Sequence, residues 1–357
     1  MHGNRIFITG GAGFIGSRLV KRLVDGGAEV LAFDNLLPQV HGPAPQLALA
    51  APLVRGDVRD RDALDHALRE FQPTLVVHLA AETGTGQSAD EPARYAEVNV
   101  LGTARLIEAM RACVAPPRRV VLAATRAVYG EGAYRDAAGR LTVPPPRRND
   151  DMARGIFNLL DENGQALAPI ATPEQVPLMP GSVYGSTKLM QEYLLQQSPA
   201  PWQNVILRLQ NVYGPGQSLR NPYTGVLSIF CQQALAGKTL NIFEDGDIGR
   251  DFVFVDDVVA AFAAACESDA ACGRIINIGT GERAAIVDVA RTILARLGLP
   301  EDRFRISCDF RSGDVRHAVA NIRLARELLG WTPIVDLNQG IGALVAWARA
   351  EALQHAN

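Results

Sequence analysis

Short apolar runs and amphipathic stretches alternate along the first 210 residues of this chain. The apolar runs fall at 5–9, 29–33, 53–55, 74–79 and 119–123, and helical periodicity fills the intervals. Continuous apolar strands predict a parallel sheet covered on both faces, because a strand buried on both sides shows no polar alternation. The helical pattern returns over 182–197, and a further strand is expected at 205–209. Between them, residues 131–180 break the rhythm with VPPPRR and PLMP and exceed the length of an ordinary connection. This segment reads as an insertion: a lid, a disordered loop, or a surface excursion without a role. Beyond residue 211 the pattern is mixed, with helices expected near 222–236, 255–267, 284–297, 321–329 and 337–352 and short strands between them.

The first apolar run ends in TGGAGFIG at 9–16, which opens a helix. Gly10, Gly13 and Gly16 permit a tight turn and let N–H groups at the helix N-terminus approach a pyrophosphate. A glycine motif alone is weak, since a plain strand-to-helix turn has the same composition. Asp34 strengthens it. It closes the second strand 18 residues after Gly16, where a carboxylate can accept hydrogen bonds from ribose hydroxyls and repel a 2′-phosphate. NAD is thereby favoured over NADP. Asp57 follows the third strand, and Leu79, Ala80 and Ala81 follow the fourth, at the carboxyl ends where such sheets bind ligands. Asp57 is placed to reach the adenine, and the two alanines let the cofactor lie close. Phe14, Ile15, Asn35 and Val58 complete the expected cofactor set. His78, in an apolar strand, reads as a core residue rather than a catalyst. The expected fold is α/β: a Rossmann-type doubly wound parallel sheet over 1–210, carrying the insertion. A smaller mixed α/β substrate-binding cap is expected over 211–357, with some of its segments returning to the sheet.

Composition bears mainly on partners. A net charge of −3 and the absence of any basic run exclude a phosphate-neutralising surface, so no nucleic-acid partner is expected. The longest apolar run, 258–266, is far too short to span a bilayer. The N-terminal stretch enters a strand pattern directly, without a signal-type segment, and a cytoplasmic location is expected. Five cysteines without CxxC spacing fit reduced thiols, and neither a metal site nor redox thiol chemistry is indicated.

One pair of residues carries the chemistry. The stretch GSVYGSTKLMQEY at 181–193 places Lys188, one of three lysines beside 32 arginines, four residues after Tyr184. With 7 tyrosines in the chain, chance supplies only about 0.06 such pairs. Residues four apart share one face of a helix, so an ammonium there can lie beside the phenol. Bringing a phenol from about 10 to about 7 takes roughly 4 kcal/mol in favour of phenolate. A cation about 4 Å away supplies about that much at a surface-like dielectric. Thr125 ends the fifth strand at the same sheet edge. Thr125, Tyr184 and Lys188 form a proton-transfer set in which Thr125 orients or shuttles protons to a substrate hydroxyl, Tyr184 removes or returns its proton, and Lys188 keeps the phenolate accessible and anchors the nicotinamide ribose.

With these residues in place, the chain resembles the extended short-chain dehydrogenase/reductase family, specifically its NAD-dependent nucleotide-sugar epimerases and dehydratases. The resemblance runs through ITGGAGFIGS, GDVRD, HLAA, VNVLGT, the Thr/Tyr/Lys set, RLQNVYGP, RDFVFVDDV, NIGTG and GDVRH, covering nearly the whole chain. It implies that Asn99 supports the active site and that Asn211 meets a nucleotide diphosphate. It further implies that Arg250 and Arg316 bind the phosphate or ribose of a sugar nucleotide, with Thr83 and Arg126 in the same substrate-binding set. Either of the first two arginines could instead be a salt-bridge partner, although bidentate phosphate recognition suits arginine. A homodimer built from the helix around 90–112 and the Tyr184 helix is also implied.

In the 4,6-dehydratases of that family the active-site Thr is followed by an Asp-Glu pair; here Arg126 and Ala127 follow. Dehydration is disfavoured, as is the decarboxylation that uses an acidic residue there. Epimerisation remains: oxidation of a sugar carbon, turning of the intermediate, and hydride return to the other face. Segments 34–42, 83–88, 129–135, 221–230 and 242–246 resemble the branch that interconverts dTDP-L-rhamnose and dTDP-6-deoxy-L-talose. A UDP-hexose 4-epimerase, a 4-ketosugar reductase and a cofactor-sensing binding protein are the competing readings. The insertion holds no Cys and no His, so it offers no metal site.

Overall fold

The computed structural model describes residues 1–354 apart from 44, 46, 47 and 220–224. Its large sheet has seven strands: β1 (Arg5–Thr9), β2 (Glu29–Asp34), β3 (Leu53–Arg55), β4 (Leu75–His78), β5 (Arg119–Thr125), β6 (Gln203–Leu209) and β7 (Arg274–Ile278). Their order is β3-β2-β1-β4-β5-β6-β7, and every neighbouring pair is parallel. All four residues of β4 are buried, which is why these strands read as unbroken apolar runs.

Five helices frame the site: α1 (Phe14–Asp25), α2 (Arg61–Phe71), α3 (Gly102–Arg111), α4 (Val183–Gln197) and α5 (Val255–Glu267). On one face α1 and α5 bury Leu19, Val20, Leu23, Val258 and Phe262 against the sheet. On the other, α2 and α3 bury Leu64, Leu68, Leu106, Ile107 and Met110, joined by Leu195 of α4. Two of these helices begin on side-chain caps. Asp60 accepts from the N–H groups of Asp62 and Ala63 at the start of α2, and Ser182 from that of Gly185 at the start of α4. The strand order reverses between β1 and β4, so a crevice opens at their carboxyl ends.

Helix α5 and strand β7 lie on the large sheet, although both belong to the second part of the chain. The helices Val226–Leu235, Ile286–Arg296 and Leu337–Gln354 surround a second core containing Leu227, Phe230, Ile293 and Leu344. Residues 222–224 of the helix expected at 222–236, and part of segment 221–230, lie outside the described residues.

The insertion is ordered, so the disordered alternative does not hold. Tyr134–Arg135 pairs antiparallel with both Leu141–Thr142 and Ala168–Pro169, and a helical turn spans Asn149–Ala153. Its apolar residues Ala133 and Val176 pack with Val128, Tyr129 and Leu189, fastening it to α4. Its charged anchor is Arg147, 4% exposed, which pairs with Glu131 at 3.2 Å and with Glu244 at 2.9 Å.

Candidate active site

The crevice begins at the glycine turn. Gly10 has φ +71°, and a Cβ there would stand 2.7 Å from the Ala80 nitrogen, so only glycine allows β1 and β4 to end so close together. A Cβ on Gly16 would strike the Gly10 carbonyl oxygen. At Gly13, by contrast, a Cβ would meet only that oxygen, at 3.3 Å, and the helix N-terminus is otherwise open. Gly10, Gly13, Asp34, Asn35, Val58 and the Leu79–Ala80–Ala81 run line one cleft. Leu37, Val40 and His41, in the turn after β2, line it too. Sequence reading used that turn only as part of the resemblance.

Phe14 and Ile15 open α1, and their partly buried side chains pack against the second core. Asp34 accepts hydrogen bonds from the N–H groups of Ala12 (3.1 Å) and Leu36 (2.9 Å), which ties the glycine turn to the end of β2. Asp57 is gripped by Arg59 through its backbone N–H and guanidinium, and by the Asn35 amide. Burial pulls its carboxyl upward, yet these hydrogen bonds hold it below the usual carboxylate range. His78 lies between the hydroxyls of Thr9 (2.6 Å) and Thr103 (2.9 Å). Burial, with the Lys188 charge adding, pushes it down to about 3, which makes it a neutral, hydrogen-bonded core residue.

Thr125 is the last residue of β5, and Tyr184 sits in the first turn of α4. The Tyr184 backbone N–H donates to the Ser88 hydroxyl at 3.1 Å, and its ring stands edge-on to Tyr95 with centroids 6.4 Å apart. Burial raises the phenol above its ordinary value; a hydrogen bond with Thr125 and the charge of Arg126 act in the opposite direction. Lys188 lies one turn further along α4 and is 3% exposed. Burial pushes its ammonium down to about 7 against the pull of Glu192. Among the described residues it has neither a hydrogen bond nor an ion pair, since Glu192 is held by both arms of Arg208. Lys188 shares the helix face of Tyr184, as the four-residue spacing predicts.

Asn99 lies in a π-helical stretch, Ala96–Leu101, the kind of local widening often found at functional sites. Its amide donates to the Glu82 carbonyl and the Thr187 hydroxyl, and its oxygen accepts from the Glu82 N–H. Segment 82–83 is thus pinned to α4, with Thr83 exposed and its carbonyl accepting from the Tyr95 hydroxyl.

The residues expected to hold substrate are placed unevenly. The side-chain oxygen of Asn211 is buried without a partner. Arg250 bonds Asp314 at 2.6 Å. Arg316 is committed to protein acceptors: Glu244 at 2.9 Å, Asp245 at 2.7 Å and Asn158 at 3.0 Å. Its fork therefore serves as a salt-bridge partner, the alternative already weighed for it. Arg126 is partly buried and, among the described residues, has no hydrogen bond or ion pair. Burial and the neighbouring Arg250 lower it to about 10, so it remains charged at neutral pH.

Two groups were not singled out from sequence. Asp251 accepts from Thr280, Gly281 and Ala320 and so holds the NIGTG turn, for which its place in RDFVFVDDV was the available signal. The Glu131–Arg147–Glu244 lattice had only the VPPPRR run to announce it.

Open space at Gly13, a partnerless ammonium at Lys188 and a partnerless oxygen at Asn211 fit a bound dinucleotide and its substrate. Such a crevice, with a hydroxyl, a phenol and an ammonium at its lip, defines an NAD-dependent enzyme of the short-chain dehydrogenase/reductase type. The chain belongs to the NAD dependent epimerase/dehydratase family, whose pattern matches residues 6–150 and 162–279. It is 41% identical to the dTDP-L-rhamnose 4-epimerase of Burkholderia thailandensis, over 98% of this chain and 96% of that one. Among solved structures it is similar to the UDP-glucose 4-epimerase of Thermotoga maritima with UDP-glucose (TM-score 0.79, 29% identity, 98% and 99% covered). It is also similar to the UDP-glucose 4-epimerase of Thermus thermophilus in complex with NAD (TM-score 0.74, 30% identity, 97% and 99% covered). No helix among the described residues is long and apolar enough to cross a membrane.

Proposed function

We propose that this protein is a nucleotide-sugar 4-epimerase that interconverts dTDP-L-rhamnose and dTDP-6-deoxy-L-talose. The observation that carries the reaction type is the lack, among the described residues, of a free acid beside the phenol. Arg126 follows Thr125, and the nearby carboxylates are engaged: Glu131 by Arg147, Asp314 by Arg250 and Glu82 by Arg94. Eliminating water from the sugar calls for a general acid in this position. The dTDP-deoxysugar assignment is supported by the 41% identity to a dTDP-L-rhamnose 4-epimerase.

NAD, held by the glycine turn and the cleft beside Asp34, would supply reversible hydride acceptance at C4 of the sugar. Tyr184 in its phenolate form removes the proton from the C4 hydroxyl, which Thr125 orients. Lys188 directs its unpaired ammonium to the ribose next to the nicotinamide. After the sugar turns its other face to the cofactor, Tyr184 returns the proton. Asn211, Arg250, Thr83 and Arg126 serve the sugar nucleotide, and Arg316 acts through the cap lattice. Leu101, Met190 and Tyr193, exposed on the helices around 90–112 and 183–197, support a homodimer through those helices. Five free thiols support a reducing, cytoplasmic setting for deoxysugar biosynthesis.

Purified protein incubated with dTDP-L-rhamnose and no added NAD is expected to give the C4 epimer. Turnover of UDP-glucose instead would assign a UDP-hexose 4-epimerase, and a stoichiometric need for NAD(P)H would assign a reductase. Tyr184→Phe is expected to lower kcat by about 10²–10⁴-fold with the fold intact; unchanged turnover would remove Tyr184 as the base.

A further inference from the structure

Segments 34–42 and 83–88 carry part of the sequence resemblance, yet neither the cofactor set nor the catalytic set uses Gln39 or Gln87. In the structure the two segments meet. The first leaves β2 and forms the helical turn Pro38–His41; the second follows β4 and enters the helix Thr85–Asp90. Gln39 and Gln87 exchange amide hydrogen bonds: the Gln39 nitrogen donates to the Gln87 oxygen at 3.0 Å, and the Gln87 nitrogen to the Gln39 oxygen at 3.3 Å. Arg94 donates to the same Gln39 oxygen at 3.1 Å and to Glu82 at 2.9 Å. Glu91 completes the cluster, accepting from Gln87 at 2.8 Å and from Arg94 at 2.9 Å. Gln87 is 4% exposed, a buried amide satisfied within this cluster.

The cluster bridges the walls of the cofactor cleft. Strand β1 stands between β2 and β4 in the sheet, and the glycine turn leaves its end. A connection from the loop after β2 to the segment after β4 therefore spans the end of β1. Both walls take part: Leu37, Val40 and His41, around Gln39, line the cleft on one side, and Glu82 lines it on the other.

The turn after β2 needs such a hold. Leu36 has φ +55°, in the left-handed region that favours glycine. Its N–H donates to Asp34 at 2.9 Å and the Leu37 N–H to Asn35 at 3.1 Å, but both bonds stay within the turn. Gln39 reaches the opposite wall. From there the links continue, because the Glu82 backbone is bonded to the Asn99 side chain, whose amide donates to the Thr187 hydroxyl on α4. That hydroxyl donates in turn to the Tyr184 carbonyl at 3.0 Å. The Asp34 end of the cleft and the helix of the catalytic phenol are thus joined.

We propose that Gln39, Gln87 and Arg94 form a clasp that retains the dinucleotide by holding the turn after β2 closed over it, so that one cofactor molecule serves successive turnovers. The three are positioning residues, which act through the turn. The inference rests on the reading of this cleft as the NAD site. Retention suits an epimerisation, in which the cofactor that accepts the hydride must still be present to return it.

The test follows release rather than turnover. Purified protein is loaded with radiolabelled NAD, excess unlabelled NAD is added, and the label remaining on the protein is followed with time. Gln39→Ala, on a partly exposed turn, and Gln87→Leu, which keeps much of the buried volume, are each expected to release label about tenfold faster, the worth of one ordinary hydrogen bond. Because both act through one contact, the double variant should be no faster than the faster single one. The urea midpoint of NAD-free Gln39→Ala should match that of wild type.

Release at the wild-type rate in Gln39→Ala and in the double variant overturns the clasp. So does a double variant in which the two accelerations simply multiply, since the residues would then act separately. No sugar enters this experiment, so its failure strikes the clasp alone, whereas failure to form the C4 epimer from dTDP-L-rhamnose strikes the proposed activity.

Discussion

On the cofactor side of the cleft, the glycine turn leaves a gap at Gly13, Lys188 keeps an ammonium without an anion, and Asn211 keeps an oxygen without a donor. Across from it, where the insertion meets the cap, Arg147, Arg250 and Arg316 are all matched by carboxylates, and Glu131, Glu244, Asp245 and Asp314 each accept from more than one group. A buried polar group without a partner costs free energy. A ligand in the crevice can complete such a group, whereas the charges of the lattice are matched within the protein, although the Tyr134 hydroxyl of the insertion is also buried without a partner. The insertion expected as a possible lid is fastened as a wall, with Arg126 standing at the boundary between the two regions.

The strongest way to break this contrast is Arg147→Met. The substitution keeps much of the volume but leaves Glu131 buried without its cation and removes one of the two cations on Glu244. Removing one partner of a buried pair typically costs about 3–5 kcal/mol. The urea midpoint should fall accordingly while bound NAD is retained, because no cofactor-side residue is touched. Burial already raises the Glu131 carboxyl, and Arg147 opposes that rise. Without Arg147 its folded-state pKa rises further above the unfolded value. The added penalty is therefore largest above the folded pKa and eases as pH falls towards the unfolded carboxylate value. A pH-independent loss below about 1 kcal/mol would mean that the lattice does not hold the insertion.

Lys188→Met probes the opposite side and should have the opposite sign. The ammonium is pushed down from 10.5 to about 7, so the folded protein binds that proton less readily than the unfolded chain. The penalty is full below about pH 7 and vanishes near the unfolded lysine value. Removing the charge should abolish turnover yet stabilise the NAD-free protein. The stabilisation should shrink by on the order of 2 kcal/mol between about pH 7 and about pH 9. Equal stabilisation at both pH values would show that the ammonium is not desolvated.

The same division explains what could be read from the sequence. Gly10 and the alanines after β4 act through backbone geometry and small size, and Asp34 through its place at a strand end, at spacings fixed by a strand and a turn, so their positions were legible residue by residue. His78 was recognisable as core because its whole strand is apolar. Arg147 and Arg316 find their partners across 97 and 72 residues of chain, and no local pattern specifies such pairings. Phe14 and Ile15 follow the glycines at the start of α1, and the packing of their side chains on the second core was not legible from that adjacency. For Lys188 the four-residue spacing gave the helix face it shares with Tyr184, while its burial comes from tertiary packing that no local pattern specifies.

The smallest change in stability should come from Gly13→Ala, which makes it the sharpest test of the gap as a ligand site. Gly13 caps α1 with φ −70° and ψ 179°, a conformation open to any residue, so no backbone strain accompanies the substitution. Its new methyl would meet only the Gly10 carbonyl oxygen, at 3.3 Å, which a small shift relieves. Alanine is a poorer cap than glycine, and a loss of about 1 kcal/mol or less is expected in the denaturation midpoint. The methyl would nevertheless occupy the approach to the N–H groups at the start of α1, where a pyrophosphate sits in a sheet of this order. NAD retained through purification should therefore fall sharply while the fold is nearly unchanged. Wild-type NAD content in Gly13→Ala would show that the space serves the turn and not the dinucleotide.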